Sequence, residues 1–174
     1  MAVADGQMGI HVREERIVLG IDPGRDKTGF AFVNLQGGLI ASGIFATNEH
    51  TRFFAALKDG SESFTQWLTE GEADSLPAKI ISSVKFIAIG DGTHSREFAA
   101  IVRENLPCEK LTVDERNTTL EARSLYWKIH RPNFLLRLLP KGLRVPKRVL
   151  DDLAAWAIAL RGLKKYRDIF PNKL

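Results

Sequence analysis

Apolar and polar positions along the chain follow two different periods. Residues 16–22, Arg-Ile-Val-Leu-Gly-Ile-Asp, form a short apolar run closed by Pro23-Gly24, the pattern of a buried strand entering a turn. Residues 28–34 are a second run of β-branched and aromatic residues, and after Leu35-Gln-Gly-Gly38 a third covers 39–45. Connections this short predict an antiparallel meander, because parallel strands need a long crossover.

The period then lengthens. Residues 51–57 and 62–70 have helical spacing, with Phe53, Phe54, Leu57, Phe64, Trp67 and Leu68 as the apolar contacts. A strongly apolar strand is predicted at 84–90, a helix at 95–105 with Phe98, Ala99, Ile101 and Val102 inward, and a short strand at 110–113. Thr118-x-x-Glu121 reads as a capping box that opens another helix. Pro132, Pro140, Gly142 and Pro146 prevent 131–146 from forming one regular helix, and a last helix is expected from about 147 to 166. The first fifteen residues lack sustained periodicity and read as a flexible extension, leaving 16–174 as a single domain.

The predicted order is β-β-β-α-β-α-β-α. Such an order gives an α/β fold: a mixed five-stranded sheet, with the first three strands antiparallel, the fourth and fifth parallel, and helices on its faces. This is the ribonuclease H-like arrangement.

In open α/β sheets, ligands sit beyond the carboxyl ends of strands. Asp22 ends the first strand, Asp91 follows the fourth, Asp114 and Glu115 follow the fifth, and Asp151 and Asp152 open the final helix. Two carboxylates about 4 Å apart repel by about 4 kcal/mol at an effective dielectric near 20, so a cluster of them calls for counter-charge. Oxygen-only ligands suit Mg²⁺ or Mn²⁺, and a pair of such ions serves phosphodiester hydrolysis.

Plainer roles compete at each position. Asp22-Pro-Gly is also a turn, and Asp151 and Asp152 also complement a helix dipole. Asp151 lies over Ala154, Ala155 and Ile158, a face of small residues that allows close approach to the sheet, and is the preferred ligand of the two. Asp91 and Asp152 are weaker candidate ligands. The Gly90-Asp-Gly-Thr-His-Ser95 loop, with Thr93 and Ser95, offers backbone N–H groups to a phosphate, or is simply a turn. His94 is either a proton donor to a leaving group or a structural histidine.

Charge sharpens this picture. The 174 residues include 25 Lys and Arg against 21 Asp and Glu, a net charge of +4. Residues 122–150 carry eight basic residues and no acid: Arg123, Lys128, Arg131, Arg137, Lys141, Arg144, Lys147 and Arg148. The rest of the chain is therefore net acidic. This block, with Arg116, is a candidate polyanion surface or a solvated face. Its aromatics Tyr126, Trp127 and Phe134 either stack on bases or pack inward, packing being expected for at least two. The single Cys108 excludes an intramolecular disulfide framework and a cysteine-rich zinc site. The longest unbroken apolar stretch, residues 153–160, is too short to span a bilayer, and the N-terminal segment lacks the apolar core of a signal peptide. A cytoplasmic location is the expectation.

Several segments taken together resemble a known family. Ile17-Val-Leu-Gly-Ile-Asp-Pro-Gly-Arg-Asp-Lys-Thr-Gly29 resembles the first-strand motif of Holliday junction resolvases and the related YqgF (RuvX) nucleases. Val113-Asp-Glu-Arg-Asn-Thr-Thr-Leu-Glu-Ala122 resembles the YqgF signature Asp-Glu-Arg-x-Thr-Thr-x-Glu-Ala, the most specific of the matches. Asp151-Asp-Leu-Ala-Ala-Trp-Ala-Ile-Ala-Leu160 resembles the final-helix motif of both. Ile89-Gly-Asp-Gly-Thr-His-Ser-Arg-Glu97 is similar to a loop of the YqgF-like domain in Tex transcription-accessory proteins.

The resemblance implies an RNase H-like fold and Mg²⁺- or Mn²⁺-dependent cleavage of structured RNA or branched DNA, as in resolvases or in processing of pre-16S ribosomal RNA. Asp22, Glu115 and Asp151 become the metal-binding catalytic acids, Asp22 shared by two ions. The products would carry a 5′-phosphate and a 3′-hydroxyl, and junction resolution would call for a homodimer. The Tex-like loop implies instead a nucleic-acid-binding module without turnover.

Overall fold

A computed structural model describes residues 16–140 and 143–173. The flexible extension expected at 1–15, and Lys141, lie outside the described residues. Six strands form one mixed sheet in the order β4-β3-β2-β1-β5-β6. They are β1 (Ile17–Pro23), β2 (Lys27–Asn34), β3 (Leu39–Ala46), β4 (Leu68–Glu70), β5 (Val84–Gly90) and β6 (Glu109–Val113). β1 to β4 are antiparallel neighbours, whereas β5 runs parallel to β1 and β6 parallel to β5. The helices are α1 (His50–Asp59), α2 (Ile80–Ser83), α3 (Ser95–Asn105), α4 (Thr118–Ile129), α5 (Phe134–Arg137) and α6 (Asp151–Ile169).

Strand alternation sorts the core into two layers. Ile17, Leu19, Ile21, Phe30 and Phe32 face one side, with Phe53, Phe64, Trp67 and Phe98. Phenylalanine dominates there, and the Phe45 and Phe53 rings stack at 4.3 Å. Val18, Ala31, Val33, Phe86 and Ala88 face the other side, against α4 and the alanine-rich body of α6. Asp22 is in phase with Val18 and Gly20, which puts it on the α6 side.

The structure corrects three expectations. There are six strands, not five: of the segment 62–70, only a 3₁₀ turn at Ser61–Phe64 is helical, and Leu68–Glu70 pairs with β3. β3 would otherwise be a bare edge, and Gly43 leaves room for the Trp67 carbonyl to close on it. The capping box does not form. Asn117, in the left-handed region at φ 66°, precedes α4, Thr118 is already helical, and Glu121 is drawn away to Arg161. The last helix starts at Asp151, not 147, because Arg148 turns back to bond Asp152 and the carbonyl of Val149. Among the described residues of the stretch 131–150, α5 is the one regular helix, and Phe134, Leu135 and Leu138 are more than 70% exposed.

Candidate active site

Three glycines let the acidic elements meet. Asp22 pairs with Gly29 across β1 and β2. A Cβ on Gly29 would overlap the carbonyl of Asp151, so the first turn of α6 rests directly on the strand beside Asp22. On the other flank, Ile21 pairs with Ile89, and β5 ends at Gly90. The Glu115 carboxylate lies across this end: a Cβ on Gly90 would sit 2.6 Å from its Oε2, and one on Gly92 would overlap Oε1. The Gly-x-Gly of the loop is the bed on which Glu115 rests.

Asp91 and Arg161 hold that arrangement. The Asp91 Oδ1 accepts the N–H of Glu115 at 3.0 Å, and the Asp91 N–H donates to the Val113 carbonyl at 3.0 Å. Arg161 of α6 donates to the carbonyl of Asp114, to that of Arg116 at 2.8 Å, and to Glu121 at 2.6 Å. It ties the Glu115 loop to the helix that begins at Asp151. Sequence reasoning passed over Arg161, since in the chain it is one cation among several in the second half of a helix.

The acids act on one another electrostatically. The Asp22 carboxyl is pushed up to about 7, first by burial and then by the charges of Glu115 and Asp151. Burial and the Asp152 charge also raise Asp151, against an opposing pull from Lys27. Burial first, and then the neighbouring acids, thus favour the protonated form of Asp22. Among the described residues, no group of three or more His, Cys, Asp or Glu side chains is already set to hold a metal ion. The donors nevertheless fit a hard divalent cation. All are carboxylate oxygens, and a cation would relieve the repulsion that keeps Asp22 protonated.

Beside Glu115 opens a cleft of about 680 Å³ lined by Asp91, Gly92, Thr93, Ser95, Arg96, Asp114, Glu115 and Arg116. Thr93, Ser95 and Arg116 are therefore together with Glu115, while His94 lines a different hollow with Arg25, His50 and Glu97. Arg116 is 87% exposed and forms a forked ion pair with Asp114. Its guanidinium holds the Asp114 carboxyl down at about 2.

Other candidates have different roles. Asp152 is fully buried and is no free ligand: its oxygens accept bonds from Ser42 Oγ at 2.8 Å, Thr69 Oγ1 at 2.6 Å, and both Arg148 amino groups at 2.7 and 3.1 Å. Arg148, expected on the polyanion surface, is spent inside. It also bonds Glu70 at 2.6 Å, which in turn meets His130, and it lies over the Tyr126 ring at 5.7 Å. Arg144 likewise caps the carbonyls of Arg137 and Leu139, in a loop the basic composition alone does not reveal. Arg123 and Lys128 line a groove along α4, and Arg131 and Lys147 are exposed. Tyr126 is half-buried against the core and meets Trp127 edge to face, but Trp127 stays outside the core in the wall of a groove and Phe134 stands out in solvent, so one of the three aromatics packs inward where at least two were expected.

No protein-family model matches the chain, and no curated protein matches it at significant similarity. No helix among the described residues is long and apolar enough to cross a membrane. What is established is an α/β fold with a six-stranded mixed sheet flanked by helices.

Proposed function

We propose that this protein is a metal-dependent nuclease of the RNase H-like, YqgF-type class, hydrolysing phosphodiester bonds in structured RNA or branched DNA. One observation carries the reading: Asp22, Glu115 and Asp151 come from three separate elements, yet the latter two charges help raise the Asp22 carboxyl to about 7. Structural carboxylates are ordinarily paired with cations or hydrogen-bond donors, as Asp152 is; mutually repelling ones call for a ligand. The motif resemblance and the order of strands and helices support the same class.

Asp22, Glu115 and Asp151 are the residues that would hold Mg²⁺ or Mn²⁺. Bound there, such ions supply an activated water and charge neutralisation for phosphoryl transfer. A divalent cation held there would favour the ionised form of Asp22. Thr93, Ser95 and Arg116 line the cleft where the phosphate backbone enters, and Asp91 and Arg161 keep Glu115 in place. The test is cleavage of labelled four-way-junction DNA and precursor ribosomal RNA with Mg²⁺ or Mn²⁺. Cleavage by the wild type but not by Asp22→Asn is expected. No cleavage of either substrate, or equal cleavage by both proteins, overturns the enzyme reading.

A second reading is a nucleic-acid-binding module without turnover. It is favoured by the Glu115 carboxylate lying over the glycine loop, with no ready-made group of three ligands among the described residues. It expects salt-dependent binding that needs no metal and survives Asp22→Asn.

A further inference from the structure

The hollows on the protein form a sequence. Arg116 lines the cleft that contains Glu115, and the next residue, Asn117, lines a hollow of about 360 Å³ with Leu120, Glu121, Ser124 and Lys128 along α4. Leu120, Ser124 and Lys128 also line a groove of about 510 Å³, completed by Arg123, Trp127, Pro132 and Arg144. Shared lining makes the two hollows one track along α4 to the start of the 131–150 segment, and its near end at Asn117 is the next residue after Arg116 of the Glu115 cleft.

The chemistry of the track alternates. Leu120, Trp127 and Pro132 present apolar surface, Leu120 being 58% exposed. Arg123, Lys128 and Arg144 supply the charge, and among the described residues no acid lines the farther groove. In the nearer hollow Glu121 is neutralised by Arg161 at 2.6 Å. The far wall is built: Trp127 Nε1 donates to the Arg144 carbonyl at 3.1 Å, and the Arg144 guanidinium is fixed by two carbonyls.

We infer that this track carries a single-stranded polynucleotide tail leading away from the carboxylate site, with bases against Leu120, Trp127 and Pro132 and phosphates on Arg123 and Lys128. The inference rests on the nucleic-acid reading above and adds the class of substrate: a duplex or folded RNA bearing an unpaired tail. Apolar walls between cations suit a chain that turns its bases inward, whereas a duplex offers only its phosphates to a concave strip of this kind.

The test measures binding in EDTA, so that no cleavage occurs, with three fluorescein-labelled probes: a blunt DNA duplex, the same duplex with an oligothymidine tail, and oligothymidine alone. The tail is expected to tighten binding about tenfold, base stacking being the added contribution. Arg123→Gln with Lys128→Gln, both changes at the surface, should weaken binding of the tailed duplex more than of the blunt one and so remove most of the tail's gain. Unlabelled oligothymidine should quench the emission of Trp127, which is more exposed than the nearly buried Trp67 and Trp156. Trp127→Phe should remove that quenching. Equal affinity for tailed and blunt duplexes, an equal loss for both in the double variant, or quenching that persists in Trp127→Phe overturns the inference. Failure of the nuclease reading is distinguishable, because it shows as absent cleavage with tail binding intact.

Discussion

Arg161 grips the chain on both sides of Glu115, through the carbonyls of Asp114 and Arg116, without touching the carboxylate itself. An acid at the end of a strand is otherwise placed by a loop, and a loop is the least rigid support a site can have. Here the guanidinium transfers the rigidity of α6 to it. Arg161→Ala is expected to lower nucleic-acid cleavage by about ten- to a hundredfold, with a stability loss of only about 1–2 kcal/mol from the broken hydrogen bonds. Arg161→Lys should recover part of the activity. Kinetics alongside urea unfolding check this; unchanged cleavage in the alanine variant would show that the Glu115 loop holds itself.

Gly29 has no room for a side chain, because the Asp151 carbonyl occupies the place of a Cβ. Gly29→Ala should lift the start of α6 off β2 and cost about 1–3 kcal/mol or more, the range for overpacking. Chemical denaturation measures the loss. A stable Gly29→Ala protein would mean that the helix shifts freely.

Arg148 is the counter-ion of a buried carboxylate. Arg148→Ala leaves Asp152 with only the Ser42 and Thr69 hydroxyls, and the expected cost is about 3–5 kcal/mol, the range for stranding one member of a buried pair. Arg131→Ala, at an exposed position of the same basic stretch, should change stability by less than about 0.5 kcal/mol. Similar losses in the two variants would refute the internal role assigned to Arg148.

The raised carboxyl of Asp22 makes stability depend on pH with a definite sign. Below pH 3.8 the folded and unfolded chains both keep the proton. Between 3.8 and about 7 the unfolded chain releases it first, so this group's effect is a fall in stability as pH rises through that window. In EDTA at pH 8, Asp22→Asn should therefore melt at a higher temperature than the wild type, by a stabilisation of up to about 4 kcal/mol. The gap should close by pH 3.5. Added Mn²⁺ should raise the wild-type midpoint and not that of Asp22→Asn. Calorimetry across this range decides it, and a wild type more stable than the variant at pH 8 would contradict the assignment.

Periodicity made most of the fold legible. Strands at 84–90 and 39–45 and helices at 51–57 and 95–105 were readable from apolar spacing, because each buries a continuous face. β4 was not, since a three-residue Leu-Thr-Glu strand carries no period and exists only because β3 needs a partner. The acids at element ends were legible from chain position, and the small-residue face beneath Asp151 from composition. Contacts between distant residues were not: Arg161 meets Arg116 across 45 residues, and Asp152 meets Ser42 across 110. Nor could the count of basic residues separate Arg144 and Arg148, which hold the protein together, from Arg123 and Lys128, which line an open groove.

The meeting of α6 with the sheet at Gly20 and Gly29 is a contact of main chain with main chain. No side chain larger than the Ala159 methyl acts as a spacer there. The approach of Asp151 to the strand that holds Asp22 is therefore set by main-chain contact rather than by the length of a side chain. Trimming Leu153 or Leu163 in the layer beneath should soften the molecule and lower its melting point while the two acids keep their spacing, so that heat tolerance and the chemistry of the acids vary independently.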